Sequence, residues 1–440
     1  MPYIPLARQS KPAPYNGERL LNYIAQPADV LSQVSLLGRS GLVEAFNLGG
    51  PVRASVATER GIFAVAGGKL WQITATAVER ATVPDALDTY IAASTTYVAL
   101  TVLGKYYVWD GVTLAEKATG AIDTPRGVIY RDGYFVVWGD ALGRADGFQV
   151  SALDDATSFD ALDILFAESV GDRIIRIMSL VDTLWVFGSD TIETYYNAGE
   201  SVGVFRRNLA GALERGCLNG RTVAKDETGA YWLGNDGKVY RTAGVQPMVI
   251  STPEIEANLG RVSSGFIFND RGHRFYALSR YGNTTLAFDL TAGVWCEFST
   301  GIGDAPWMAN GAVTYEGVQY LGTATGLATA HEDVFTDLGE VIRAEAITPP
   351  LERGGERFVL NLLDARFRTG SLDIGRDPQV MLQASKDGQT WGGEKWRSLG
   401  VQGKYAQQVR WRALGQSRWF QFRFRVTDPV WRDIYGVQYA

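Results

Sequence analysis

Short apolar runs rich in aromatic residues recur along the first three-quarters of the chain, and each is followed by a glycine-containing turn and a second apolar run. GIFAVAGGKLWQI from Gly61 and GVIYRDGYFVVWGD from Gly127 show the pattern. The turns use residues that tolerate positive φ, such as Asn235-Asp236-Gly237, as tight β-hairpins require. The pattern therefore predicts a succession of β-hairpins.

These hairpins begin near residues 61, 96, 127, 179, 226, 272 and 312. Spacings of roughly 35 to 50 residues are typical of four-stranded propeller blades. The repeats carry no WD or kelch signature, so the sequence predicts an irregular β-propeller of six or seven blades. Helical signals are sparse, and the best runs from Pro253 to Leu259 before Gly260.

The pattern changes after Ile347-Thr348-Pro349-Pro350, where the apolar runs become longer and rich in arginine. The clearest alternation puts Phe420, Phe422, Phe424 and Val426 on one face of a strand and Gln421, Arg423 and Arg425 on the other. This periodicity predicts a C-terminal β-sandwich in an all-β protein. We therefore divide the chain into an extended N-terminal arm and first strand (1–50), a β-propeller (51–340) and a C-terminal β-sandwich (341–440).

Arginines in this last part follow the strand spacing of two, as Arg366 with Arg368, Arg410 with Arg412, and Arg423 with Arg425. If these strands are neighbours, one sheet carries an arginine-lined face. Such a face could dock a second subunit, bind nucleic acid or simply be solvated. We favour subunit docking, because acidic residues are in excess elsewhere in the chain.

The net charge of −6 is unevenly distributed. Residues 341–440 carry 16 Lys and Arg against 10 Asp and Glu, a net charge of +6, whereas residues 1–340 carry 26 against 38, a net charge of −12. An acidic body does not favour broad phosphate binding. No apolar run approaches the roughly 20 residues that span a bilayer, and the N-terminus lacks the apolar region of a secretory signal.

Residue types that carry catalysis or bind metals are few. Cys217 and Cys296 form no disulfide framework and no metal-ligand spacing, so we expect buried thiols in a chain made in the cytoplasm. His273 and His331 are the only histidines, and we expect ordinary surface or turn roles for them. We predict no enzyme activity and assign no catalytic, cofactor-binding or metal-binding residue.

Propellers can also host glycosidases, which need two carboxylates and no histidine. Two adjacent acidic pairs are present, Asp154-Asp155 and Glu332-Asp333, but neighbouring strand residues point to opposite faces, so such pairs usually mark turns. Trp109, Trp138 and Trp232 are candidates for stacking on sugars, and blade core is the alternative role of these aromatic side chains. A carbohydrate-binding or carbohydrate-degrading propeller is therefore the alternative hypothesis, and a cellular protein-binding propeller is a third.

One turn is similar to the Asp-box of sialidases. Ser385-Lys386-Asp387-Gly388-Gln389-Thr390-Trp391 is one residue short of that motif and occurs once, in the C-terminal part. We expect Asp387 to bond turn amides, Gly388 to take positive φ and Trp391 to pack beneath. It is a fold element and not a catalytic motif.

The order of segments resembles the packaged-DNA stabilisation proteins of short-tailed bacteriophages, also called tail hub or nozzle proteins. The resemblance starts in the segment from Arg19 to Pro27 and continues in the hairpin from Val65 to Trp71. It is firmest from Arg131 to Asn197, which includes the run FGSDTIE. Arg215-Gly216-Cys217-Leu218 fits less well, and Ser385 to Gly388 with the strand Phe420 to Thr427 agree again.

The resemblance implies a structural virion protein without cofactors. Such proteins assemble as a ring, resembling a hexamer, below the portal and its adaptor. They close the DNA channel until ejection and support a tail needle, fibre or spike. We therefore expect a location in the virion tail, no membrane insertion and no sequence-specific DNA contact, since acidic walls repel phosphate.

Overall fold

The structure, a computed structural model, describes residues 3–4, 6, 17–27, 34–167, 171–200, 203–209, 212–244, 246–370 and 374–440. Regular structure in these ranges is almost all β-strand, which confirms the all-β prediction. A short α-helix, α1 (Pro253–Asn258), starts at the predicted proline, where the Thr252 side chain caps it by accepting from the Ile255 amide. No helix in the described ranges has the length and apolarity needed to cross a membrane.

The N-terminal segment supplies strands to later parts of the fold and forms no sheet of its own. Much of the predicted arm (residues 1–2, 5, 7–16 and 28–33) lies outside the described residues. The described strands are β1 (Tyr3–Ile4), β2 (Arg19–Leu21), β3 (Tyr23–Pro27), β4 (Val34–Gly38) and β5 (Gly41–Asn47).

Each of the first four blades is an antiparallel sheet of four consecutive strands. Blade one contains β6 (Val52–Thr58), β7 (Gly61–Ala66), β8 (Lys69–Ile73) and β9 (Ala77–Thr82); blade two contains β10 (Tyr90–Ala93), β11 (Val98–Val102), β12 (Lys105–Trp109) and β13 (Leu114–Glu116). Blade three contains β14 (Ile122–Arg131), β15 (Tyr134–Ala141), β16 (Arg144–Ser151) and β17 (Phe159–Phe166); blade four contains β18 (Ile174–Leu180), β19 (Thr183–Gly188), β20 (Ile192–Asn197) and β21 (Phe205–Arg207).

The remaining blades follow after a 3-10 turn at Gly220–Thr222. Blade five contains β22 (Ala224–Lys225), β23 (Ala230–Leu233), β24 (Val239–Ala243) and β25 (Gln246–Val249); blade six contains β26 (Val262–Asp270), β27 (His273–Arg280), β28 (Asn283–Asp289) and β29 (Val294–Phe298). Blade seven contains β30 (Gly311–Tyr315), β31 (Val318–Gly322) and β32 (Gly326–His331), and β5 completes it by pairing antiparallel with β32.

The innermost strands close a ring. β6 contacts β10, β10 contacts β14, β14 contacts β18, and the circle continues through the 3-10 turn, β26 and β30 back to β6. Separate apolar clusters fill the space between neighbouring blades, such as Trp138 with Tyr195 between blades three and four. Within the described residues the propeller therefore has seven blades, which resolves the blade number that the sequence left at six or seven.

The C-terminal strands form a sandwich of two sheets. The sandwich strands are β35 (Ala344–Ile347), β36 (Leu351–Glu352), β37 (Phe358–Phe367), β38 (Gln379–Ser385), β39 (Lys395–Ser398), β40 (Val409–Ser417), β41 (Trp419–Val426) and β42 (Ile434–Tyr439). Before them, β33 (Thr336–Asp337) and β34 (Glu340–Val341) extend the blade-seven sheet, in which β33 pairs with β5. One sheet has the order β3-β4-β42-β37-β40, and the other contains β2-β35-β41-β38-β39. Between them, the rings of Trp411 and Phe424 lie 5.8 Å apart and those of Phe358 and Phe420 lie 5.3 Å apart.

Strand β2 connects the two architectures. It pairs in parallel with β29 of blade six, where Leu21 lies opposite Glu297, and antiparallel with β35 of the sandwich, where Leu20 lies opposite Ala346. One sheet therefore runs without interruption from β26 to β39. Because residues before 50 share sheets with both later units, the boundaries at 50 and 340 stay a prediction.

A buried ion pair lies where the chain passes from the sandwich into the propeller. Arg39, between β4 and β5, donates from Nη1 and Nη2 to the two carboxylate oxygens of Asp337 at 2.9 and 2.5 Å. Its Nε donates to Asn22 Oδ1 at 2.7 Å, and the carbonyls of Ser40 and Ser299 accept its remaining two protons. All five guanidinium donors thus have acceptors, which is what burial of this cation requires.

We predict that Asp337→Ala lowers the free energy of unfolding by about 3–5 kcal/mol, because it leaves the Arg39 cation buried without its counter-charge. Urea denaturation followed by tryptophan fluorescence measures the change. Glu79→Gln is the matched control, since it breaks the solvent-exposed Lys69–Glu79 pair and should leave the transition midpoint nearly unchanged. Equal effects of the two substitutions would contradict a central role for Arg39.

Candidate functional site

The two histidines lie in different settings. His273 is buried in blade six, with Nδ1 2.7 Å from Asp289 Oδ2 and Nε2 2.8 Å from Gln26 Oε1 of β3. His331 is exposed, and its Nε2 lies 2.9 Å from the Thr329 hydroxyl. His273 therefore holds an N-terminal strand against the propeller. The two do not meet in one site.

The adjacent acidic pairs occupy turns, as their sequence suggested. Asp154 has a positive φ of 55° and accepts from the Tyr130 hydroxyl at 3.2 Å, while Asp155 accepts from the Thr157 amide at 2.8 Å. Glu332 and Asp333 are exposed in the turn after β32. Their contacts are those of turn-stabilising groups.

The Asp-box-like segment forms the expected turn. Asp387 Oδ1 accepts from the amides of Gln389 and Thr390 at 2.9 and 2.7 Å, and Gly388 has a φ of 76°. Hydrogen bonds from Thr390 and Gln389 hold the pKa of Asp387 well below its usual range. Trp391 lies under Arg423, whose guanidinium carbon is 4.0 Å from the ring centroid.

Three tryptophans considered as sugar-stacking residues are buried. The exposed fraction is 4% for Trp109 and 0% for Trp138 and Trp232. They pack between or within blades, as in the stacking of Trp232 on Tyr240 at 5.4 Å. The hypothesis that these three side chains bind sugars is therefore wrong, and their role is blade core.

Both cysteines are buried and unpaired. Burial raises the pKa of Cys217 to about 12 and raises that of Cys296 well above its ordinary value. Thiols held in the neutral form are poor nucleophiles and poor metal ligands. Among the described residues, no group of three or more His, Cys, Asp or Glu side chains is arranged to hold a metal ion.

The arginine face predicted from the sequence is divided between two sheets. β37 and β40 are neighbours in one sheet, but β41, which carries Arg423 and Arg425, pairs with β35 and β38 in the other. The expectation of one sheet with a single arginine-lined face is therefore wrong. Alternation along a strand shows which residues share its face, whereas sheet order is decided by pairing between distant segments.

Four of the six arginines have partners. Arg410 donates from Nε to Asp364 at 2.7 Å, and Arg425 donates to Glu345 at 2.9 Å. Arg368 covers the Trp431 ring at 3.5 Å, and Arg423 donates to Gln383 at 3.2 Å.

The other two, Arg366 and Arg412, lie on β37 and β40. Both are exposed and make no ion pair with any residue that the structure describes. They leave two free cations on the outer face of the β37–β40 sheet.

An ion-pair network that the sequence did not reveal covers the outer face of the long sheet. Arg19 of β2 bridges Glu297 of blade six at 2.8 Å and Glu345 of β35 at 3.5 Å. Asp304 contacts both Arg19 and Arg343. The Arg19 pairs join residues 278 or more positions apart, so no local spacing signals them. They add electrostatic contacts to the backbone pairing that joins the propeller to the sandwich.

Comparison with known proteins identifies related sequences for both parts. A family model described as bacteriophage P22 Gp10, beta-propeller, matches residues 3–328, and one described as bacteriophage P22 Gp10, beta-sandwich, matches residues 343–439. No curated protein matches the chain.

Solved structures that are similar to the chain include three of low sequence identity. The computationally designed Ika8 protein is 12% identical, covers 71% of this chain and 99% of its own, and has a TM-score of 0.42. The WD40 propeller domain of Doa1 is 10% identical with 66% and 95% coverage and a TM-score of 0.40. PorZ of Porphyromonas gingivalis is 12% identical with 73% and 44% coverage and a TM-score of 0.40.

We predict that neither thiol of the folded protein reacts with Ellman's reagent at pH 9.0, the ordinary pKa of a cysteine thiol, because burial keeps both protonated. Absorbance at the thionitrobenzoate band, with and without denaturant, measures this. Two equivalents should be released only after unfolding, and one in a Cys217→Ser variant. Rapid reaction of the folded chain would show that a thiol is accessible.

Proposed function

Because the chain belongs to the family of bacteriophage P22 Gp10, and is thus a phage structural protein, we propose that it forms a ring in the phage tail that closes the DNA channel. The proposed ring lies below the portal adaptor and retains the packaged genome until ejection. The observation that carries this proposal is the match of both family models, in order, to residues 3–328 and 343–439.

Rigidity of the subunit supports a channel-closing role. A plug must resist the outward pressure of packaged DNA, so its parts must not swing apart. The continuous sheet from β26 to β39 and the buried Arg39–Asp337 pair hold the propeller and the sandwich together. Strand β5 closes the propeller ring by non-local pairing, which joins the two ends of the propeller.

Charge distribution supports docking between copies. Residues 341–440 carry a net charge of +6 and residues 1–340 carry −12, so the sandwich of one copy can attract the acidic body of the next. Of the six arginines predicted as a docking face, Arg366 and Arg412 are exposed and make no ion pair with a described residue, and we place them in this contact. A net negative body also lets DNA pass without sticking.

The proposed partners follow from this position. We infer a homo-oligomeric ring, resembling a hexamer, with the portal adaptor above and a tail needle, fibre or spike below. DNA in the channel is contacted without sequence-specific binding. The protein would be made in the host cytoplasm and incorporated into the tail.

We expect DNA-filled particles made without this protein to lose their genome, and particles to which it is restored to retain it. Nuclease digestion followed by quantification of protected DNA measures the difference. Particles supplemented with heat-denatured protein are the control. Equal protection with and without the folded protein would refute the channel-closing role.

We also predict that Arg366→Glu combined with Arg412→Glu reduces incorporation into particles and DNA protection by more than about tenfold, since each reversed charge replaces attraction by repulsion. Thermal stability should be unchanged, because both side chains are exposed. Arg80→Glu combined with Lys117→Glu, which changes two exposed propeller cations, is the charge-matched control. Equal protection by both double variants would exclude this docking face.

A further inference from the structure

The propeller channel opens at one end into a cavity of about 600 Å³. Its lining includes Tyr90 at the start of β10, Arg126 of β14, Arg173 before β18 and Asn219 before the 3-10 turn. All of these lie where the innermost strands begin. The cavity therefore lies between blades two and five at the end of the channel where those strands start, and we call this end the mouth.

Arginine recurs at this mouth. Arg53, Arg126, Arg176, Arg221 and Arg261 lie near the start of the innermost segments of blades one, three, four, five and six. The innermost strands all run in the same direction along the channel axis, so equivalent positions in the blades meet at one end of the channel. Asp88 of the loop before blade two reaches Arg221 of blade five at 4.0 Å, which shows that side chains from separate blades converge there.

Acidic residues recur where the innermost strands end, next to cations such as Arg60 and Arg131. Four innermost segments carry an acidic residue six positions after the arginine, as in Arg53 and Glu59 or Arg126 and Asp132. The other two pairs are Arg176 with Asp182 and Arg221 with Glu227. All four acidic residues are exposed in the turn that ends the strand. In these four segments the arginine therefore lies where the strand starts and the acidic residue where it ends.

The positive charge at the mouth is only partly neutralised. Arg53 pairs with Asp85 at 2.8 Å and Arg126 with Asp140 at 2.6 Å. Arg173 and Arg176 make no ion pair with any residue in the described ranges.

The guanidinium of Arg176 is buried without an acidic partner among the described residues. Its guanidinium stacks on the Tyr90 ring at 4.2 Å, and burial lowers its pKa. Burial likewise lowers the pKa of Arg221. An incoming anion would compensate these desolvated cations.

Exposed apolar side chains surround this end. Leu103, Leu142 and Leu218 are 68%, 69% and 58% exposed. Leu103 and Leu142 each take the first position of a two-residue hairpin turn with φ of 50° and 52°, a conformation that favours Asn, Asp or Gly. These two leucines therefore carry both a conformational cost and the cost of an exposed apolar surface.

The arginines and the exposed leucines together indicate which class of ligand fits the mouth. Nucleic acid would need open aromatic faces or a continuous basic groove, whereas Tyr90 already lies between Arg176 and Trp138, at 4.2 and 5.5 Å. Free phosphate would leave the leucines uncovered. A peptide that carries carboxylates and apolar side chains satisfies both the arginines and the leucines.

We propose that this mouth of the propeller channel binds an acidic, leucine-containing segment of a protein partner, with its carboxylates at Arg126 and Arg173 and its apolar side chains against Leu103 and Leu218. Binding requires only the propeller of one subunit. The inference is therefore independent of the ring and of genome retention.

The test uses the full-length chain and a fluorescein-labelled dodecapeptide library with Asp, Glu or Leu at every position, measured by fluorescence anisotropy. The wild-type protein should bind it at 50 mM salt and more weakly at 300 mM, as expected for partly screened charges. Arg173→Ala should weaken binding about tenfold. Arg206→Ala, on the outermost strand of the same blade, is its control.

The substitution Leu103→Asn distinguishes an effect on peptide binding from an effect on folding. Asparagine tolerates positive φ, so the melting temperature should stay or rise, while binding weakens about tenfold through loss of the apolar contact. Val181→Asn makes the same kind of change in a turn at the opposite end of the channel, with φ of 51°, and should not alter binding.

Several outcomes would overturn the proposal. It fails if the library does not bind the wild-type chain at 50 mM salt, or if Arg173→Ala and Leu103→Asn bind as well as their controls. It also fails if a labelled oligothymidylate of twelve nucleotides binds the same mouth more tightly than the library, because the ligand would then be nucleic acid.

Discussion

The five hydrogen bonds donated by Arg39 join the chain segments whose arrangement the rest of the fold depends on. The residue lies between β4, which belongs to a sandwich sheet, and β5, which closes the propeller. Its acceptors come from Asn22, Ser299 and Asp337, so the N-terminal segment, blade six and the start of the C-terminal part meet at one cation. A buried guanidinium is tolerable only when every donor is satisfied, which restricts these segments to one arrangement.

This constraint makes one rigid body out of two architectures. The apolar core is continuous across them, since Phe268 and Phe298 of blade six belong to the same buried cluster as Phe422 and Trp411 of the sandwich. A load on the sandwich therefore reaches the propeller through packed side chains, the paired strand β2 and the Arg19 ion pairs. Exposed linkers between domains would instead permit relative motion.

Local patterns in the sequence predicted the strands, their hairpin turns and both architectures, because alternation and turn chemistry act over a few residues. The alternation from Phe420 to Val426 appears in the structure as a strand with four fully buried apolar residues. Pairing between distant segments was not predictable in the same way. The closing strand β5 pairs with β32 hundreds of residues later in the chain, and the separation of Arg423 from Arg410 depends on pairings that span tens of residues.

The sequence contains a signal of the channel mouth that cannot be interpreted without the positions of the strands. The Arg-x5-acid spacing occurs in four blades, yet it has meaning only when each pair is known to begin and end an innermost strand. Strained turns alone do not mark a binding surface, since Val181 at the opposite end of the channel also has positive φ and is 73% exposed. At the other end, strained and exposed leucines coincide with desolvated arginines. It is this coincidence of uncovered apolar surface and incompletely neutralised charge that distinguishes a binding surface from a costly turn.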